Sequence, residues 1–243
     1  MASSSSSGGP SAYLQQAGGS AASSLRPIYE TLADQYDRKL YYQLLETTQS
    51  FFHHPDSTSG TQRYDLYQSF VVHWKSKVSD LSVAELAIAA AKQLQPDSQK
   101  AHDFLVGERD QVEKDTPAHL LLSIEATCYK LLLGQLEQVK KDVDAGQKIL
   151  NSYDAVETVV SAAYYRVAAE YYKAKAMYQQ YYTTSLLYLA CLPHNGTEDD
   201  LTNEEKVERA HDLAIAAILG QGIWNFGELV SSCVRMDASV CPH

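Results

Sequence analysis

Catalysis by side chains needs a nucleophile, a base and a charge stabiliser held together, or a cradle for metal or phosphate. Few residues of this chain stand at spacings that supply either. His53 and His54 are adjacent, whereas two imidazoles that chelate from one helix face stand four residues apart, so loop histidines are the plainer reading. Cys128, Cys191, Cys233 and Cys241 lie far apart with no CxxC pair, and their spacing points to neither a zinc site nor a disulfide framework. Gly220, Gly222 and Gly227 cluster without GxGxxG spacing and without a preceding strand, which makes a turn between helices a better account than a dinucleotide cradle. The acceptor pattern Asn195-Gly196-Thr197 has no secretory context and reads as a chance match.

Two clusters remain. Glu198, Asp199, Asp200, Glu204 and Glu205 lack the alternating ligand order of an EF-hand, and negative charge ahead of a helix favours its dipole. The pairs Tyr164-Tyr165, Tyr171-Tyr172 and Tyr181-Tyr182 resemble a stacking platform for bases, but core and groove packing suits net acidity better. No catalytic, cofactor-binding or metal-ligating residue emerges. The expectation is a protein that is not an enzyme, carries no cofactor and works by contact.

Composition narrows the partners. Thirty acidic against 20 basic side chains give a formal net charge of -10, which repels phosphate backbones, so no nucleic-acid partner is expected. The longest wholly apolar run, Leu213 to Leu219, is far short of the roughly 18 residues of a membrane span. A hydrophobic content of 45% is ample for a continuous core. Residues 1–25 carry no charge and are rich in Ser, Gly and Ala; they are expected to form a disordered tail. Without Arg they make a poor transit peptide.

From Arg26 onward apolar residues recur every three or four positions, with Gly and Pro mostly between such segments, so helices dominate. Ile28, Leu32 and Tyr36 open the first, and Leu40, Leu44, Leu45 and Phe51 line the second. A loop over His53 to Gly60 follows, then a helix through Tyr64, Tyr67, Phe70, Val71 and Trp74. Ser79-Asp80 offers N-caps for Leu81 to Leu94. Asp97 caps a helix expected to end near Asp115, and Thr116-Pro117 restarts the chain with Pro in the first turn. Gly134 divides an antiparallel pair, and Tyr164 to Leu189 repeats that unit at an offset of roughly 40 residues, within the range of helical-hairpin repeats. Val207 to Leu219 is one more amphipathic helix, ended by Gly220-Gln221-Gly222. The expected fold is all-α, a right-handed solenoid of antiparallel helical hairpins of the TPR-like kind, over residues 26–230. A stack of this kind offers its ends and concave face to partners.

The segment LAIAAILGQGIWNFGEL, Leu213 to Leu229, resembles the proteasome regulatory-particle non-ATPase subunit 9 family, also called regulatory subunit 13. RKLYYQLLE (Arg38 to Glu46), LYQSFVVHWKSKVSDLSVAEL (Leu66 to Leu86) and YYTTSLLYLACL (Tyr181 to Leu192) extend the likeness over about Ile28 to Val230. The resemblance implies PCI-type N-terminal repeats in a non-catalytic scaffold of the 19S lid. Such a scaffold serves ubiquitin-dependent proteolysis in cytoplasm and nucleus and has other lid subunits as partners. PCI scaffolds of the signalosome or of a translation-initiation complex are the alternative. It further implies structural or interaction roles for Gly220, Gly222, Trp224, Asn225, Phe226, Gly227 and Glu228, which match the segment leading into the family's PCI module. After Val230 the sequence SSCVRMDASVCPH departs from the family. The expectation is an unstructured tail at 231–243, a truncated isoform, and self-association through an uncovered C-terminal repeat.

Overall fold

A computed structural model describes residues 9–95, 97–153, 155–192, 203–223 and 227. Among them are eleven α-helices and no strand. The chain divides into two compact units, Met1–Val112 and Glu113–His243.

The first unit holds α1 (Pro10–Ser20), α2 (Arg26–Asp37), α3 (Tyr41–His53), α4 (Gln62–Ser69), α5 (Asp80–Lys92) and α6 (Ser98–Arg109). Within the segment 1–25, expected to be a disordered tail, Pro10–Ser20 instead forms the helix α1. Pro10 pre-sets its first turn, and Leu14 is buried where α1 packs on α2, so one well-placed apolar side chain orders a segment of poor composition. Residues 1–8 lie outside the described residues.

Aromatic side chains knit this unit together edge to face. Tyr29 meets Phe51 with ring centroids 5.2 Å apart, Tyr36 meets Phe70 at 5.3 Å, and Phe104 meets both Tyr64 and Tyr67. The helix expected through Trp74 stops instead at Ser69, and two 3-10 turns, Val71–His73 and Lys75–Lys77, follow. The β-branched pair Val71 and Val72 is a poor helix former, and the broken path still buries Phe70, Val71 and Trp74 completely or nearly so. Gln93, at the end of α5, reaches back to α4. Its Oε1 accepts from the Arg63 and Tyr64 amides at 2.8 and 3.3 Å, and its Nε2 donates to the Ser57 carbonyl at 2.7 Å. An otherwise uncapped helix start is thereby satisfied from a distant residue. Asp97 Oδ1 accepts from the Lys100 amide at 3.0 Å and starts α6 as expected, but α6 ends at Arg109, short of the expected Asp115.

The second unit holds α7 (Pro117–Leu132), α8 (Leu136–Ser152), α9 (Thr158–Ala174), α10 (Tyr178–Cys191) and α11 (Asn203–Leu219). Thr116 Oγ1 accepts from the His119 amide at 3.2 Å, so the Thr-Pro start of α7 is capped. Helix α7 packs on α8 and α9, α9 on α10, and α10 on α11. Lys130 Nζ lies 2.6 Å from Asp142, pinning α7 to α8, and the Tyr153 hydroxyl donates to the Asp115 carbonyl at 2.8 Å.

One turn recurs in both units. At Lys39, Gly134 and Ala176 the backbone enters the left-handed region, with φ of 58°, 76° and 54°. In each case the next amide reaches back five residues: Leu40 to Gln35, Gln135 to Lys130 and Met177 to Tyr172, at 2.9 to 3.0 Å. These are Schellman turns, which end a helix and redirect the chain into an antiparallel partner.

Candidate interaction surface

The residues singled out in the sequence begin at Gly220, directly after α11. One face of that helix buries Leu213, Ala216 and Ala217 against Ala169, Tyr181, Tyr182 and Leu189 of α9 and α10. The Gly220 amide donates to the Ala216 carbonyl at 2.8 Å, extending the helical bonding by one step. A β-carbon on Gly220 would collide with Ile223 and with the Ala216 carbonyl. Gly222 has φ of +82°, a conformation that L side chains rarely adopt, and it turns the chain away from the helix. Ile223 then packs back on the α9–α11 core. Gly227 is exposed, while Trp224, Asn225, Phe226 and Glu228 lie outside the described residues. So do Cys233, Cys241, Asn195 and the acidic residues Glu198, Asp199 and Asp200.

The histidines and the buried tyrosines among the candidates have packing or capping partners. His53 Nδ1 is 2.7 Å from the Gln49 carbonyl, and His54 Nδ1 accepts from the Asp56 amide at 3.2 Å. Tyr164, Tyr171, Tyr181 and Tyr182 are buried and present no open stacking face. Burial pushes the Tyr164 phenol well above its ordinary value, with nearby Tyr172, Tyr165 and Asp144 adding to it. Burial likewise pushes the Cys128 and Cys191 thiols up, the opposite of what a nucleophilic thiolate needs. Among the described residues no group of three or more His, Cys, Asp or Glu could hold a metal ion. No described helix is long and apolar enough to cross a membrane.

What the second unit does hold is a series of ion pairs across its stacked helices. Arg166 on α9 meets Glu125 on α7 at 2.5 Å, with the Cys128 sulfur 3.9 Å from the same guanidinium. Lys173 on α9 meets Asp212 on α11 at 2.5 Å. Arg209 on α11 lies 3.4 Å from Glu170 and sits over the Tyr188 ring. In the first unit, Glu108 accepts from the Tyr67 hydroxyl at 2.7 Å and from Lys75 Nζ at 2.6 Å. No motif announces these groups, because the partners are tens of residues apart and only helix stacking joins them. Their chemistry is that of clamps.

Comparison with known proteins places the chain. It is 35% identical over 219 residues to the "Probable 26S proteasome regulatory subunit rpn9" of Schizosaccharomyces pombe, covering 90% of this chain and 55% of that protein. It is 31% identical over 219 residues to the "26S proteasome regulatory subunit RPN9" of Saccharomyces cerevisiae, covering 85% and 54%. It is 27% identical over 208 residues to the "26S proteasome non-ATPase regulatory subunit 13 homolog B" of Arabidopsis thaliana, covering 84% and 53%. The chain spans about half the length of the curated relatives it matches. Residues 28–235 match the family described as PSD13 N-terminal repeats; with its stacked hairpins and Schellman turns, the chain belongs to that family.

Proposed function

We propose that this chain is a helical-repeat part of a non-catalytic scaffold subunit of the 26S proteasome's 19S lid. It acts in ubiquitin-dependent protein degradation, in cytoplasm and nucleus, through contacts with other lid subunits. The observation that carries this reading is the family match over residues 28–235. The ion-paired hairpins support it physically. Clamps such as Arg166–Glu125 and Lys173–Asp212 hold the alternate helices α7, α9 and α11 in one register, so the stack offers fixed faces to partners, as repeat proteins do. Gly220, Gly222, Trp224, Asn225, Phe226, Gly227 and Glu228 serve as a structural junction in this reading, with Gly220 and Gly222 setting the direction in which the chain leaves α11.

Purification of the tagged full chain from cells, followed by mass spectrometry, tests the assignment. Enrichment of other lid subunits is expected. Enrichment of signalosome or initiation-complex subunits, or of no such assembly, overturns it.

A further inference from the structure

The helix α1 is joined to the rest of the first unit by few and separable contacts. It runs antiparallel to α2: Ser11, in its first turn, donates to Asp37 Oδ1 at the end of α2 at 3.3 Å, and Gly18, near its other end, faces Tyr29. Between those points Leu14 is the one side chain of α1 fully sealed from water. Tyr13 lies partly buried beside Tyr29 and Asp65. Ser24, in the exposed turn that follows α1, donates to Asp56 Oδ2. The helix is thus tied at each end by a hydroxyl bonded to a carboxylate, and both bonds are open to solvent.

Little holds α1 in shape by itself. Its 11 residues fall short of the roughly 12–15 that an isolated helix needs. No side chain caps its N-terminus, no charge complements its dipole, and Gly18 and Gly19 weaken its last turn. Helix α2, by contrast, is held from its other side, where Tyr29 meets Phe51 of α3 edge to face and Leu32 is completely buried. Undocking α1 gives up Leu14, Tyr13 and the two hydroxyl bonds, and leaves the packing of α2 on α3 in place. Local opening of this kind selects elements with few buried apolar contacts.

We infer that α1 is a releasable strap: it opens as one unit while α2 to α6 stay folded, and so uncovers the Tyr29 side of α2. Leu14, the close approach at Gly18 and the two serine–aspartate ties set how often it opens. A fraying end loses protection residue by residue, whereas a strap loses it together.

Hydrogen exchange of the full chain under native conditions tests this. The amides of α1 should exchange at a common rate, at least about tenfold faster than those of α2 and still slower than in a free peptide. Leu14→Ala should speed exchange in α1 about tenfold or more and leave α2 to α6 unchanged. Two glycine changes should act in opposite directions. A β-carbon on Gly19 meets nothing within 4 Å, so Gly19→Ala should slow exchange in α1 about fourfold through helix propensity. A β-carbon on Gly18 would stand 3.1 Å from the Tyr29 β-carbon, so Gly18→Val should speed exchange although valine is the better helix former. The double change Ser11→Asp, Ser24→Asp should also speed it, because like charges would then face each other at both ties. Exchange in α1 no faster than in α2, or as fast as in a free peptide, overturns the inference. So does an equal acceleration of α2 to α6 in Leu14→Ala, slower exchange in Gly18→Val, or indifference to the paired aspartates.

Discussion

Arg166 and Glu125 show how a single pair can carry a contact between helices. Glu125 is nearly buried and 2.5 Å from the guanidinium, while the Arg166 side chain keeps 31% of its surface exposed. Burial lowers the pKa of Arg166, yet Glu125, with the nearby Cys128 and Tyr188, more than reverses that and raises it. Glu125→Ala should therefore strand a charge against the 3.9 Å thiol contact. The expected cost is about 2 kcal/mol, below that of a fully buried pair because water still reaches part of the guanidinium. Urea denaturation measures it, and a loss under about 0.5 kcal/mol would show that the pair is a passive neighbour. Replacing both partners by leucine should cost less than the single change, because no unpaired charge remains.

At the scale of the element, the recurring Schellman turns make a paired prediction. Gly134 and Ala176 hold the same place in successive hairpins and both have positive φ, but only glycine adopts that conformation without strain from a β-carbon. Gly134→Ala should destabilise the second unit by about 1 kcal/mol, and Ala176→Gly should stabilise it by roughly 0.5–1 kcal/mol despite the added freedom of the unfolded chain. Thermal melts of the two variants should move in opposite directions; movement in the same direction would mean that something other than backbone strain governs these turns. The same elements show how far local sequence reaches. The cap at Asp97 was legible, because a side chain three residues before an amide can reach it, whereas Ser79, also expected to cap, makes no side-chain cap hydrogen bond. The cap supplied by Gln93 to α4 was not legible, because it depends on α5 lying beside α4.

For the whole molecule, buried phenols set a limit on alkaline stability. Burial, helped by Asp65, pushes Tyr29 from 10.0 to about 12. Burial pushes Tyr13, Tyr67 and Tyr164 up as well, with Glu108 adding to the shift at Tyr67. Unfolded tyrosines ionise near 10. Between that value and the folded one, the unfolded chain binds fewer protons than the folded chain, so stability falls as pH rises. Below about pH 10 the effect is absent. Above it, each such tyrosine should remove up to about 1.4 kcal/mol per pH unit. The expected result is steep, cooperative unfolding above about pH 10, with phenolate absorbance and loss of helicity rising together. Phenolate formation near its ordinary pH while the helical signal persists would contradict the burial argument.

The sequence by itself determined the helical class, most helix positions from Arg26 onward and the family, because periodicity, caps and local motifs act over a few residues. It did not determine α1, whose order rests on Leu14 finding a place against α2, nor the break after Ser69, where burial of Phe70, Val71 and Trp74 persists along a non-helical path. Gly220 and Gly222 could be singled out from sequence, but the collision awaiting a β-carbon at Gly220 and the left-handed backbone of Gly222 exist only once α11 has stopped at Leu219. Tertiary structure alone decided which charges meet. Glu125 and Arg166 look in sequence like ordinary surface residues, and the stacking of α7 on α9 turns them into a clamp. Pairing of that kind depends on distances between helices, and a linear pattern of side chains carries no record of those distances until the helices pack.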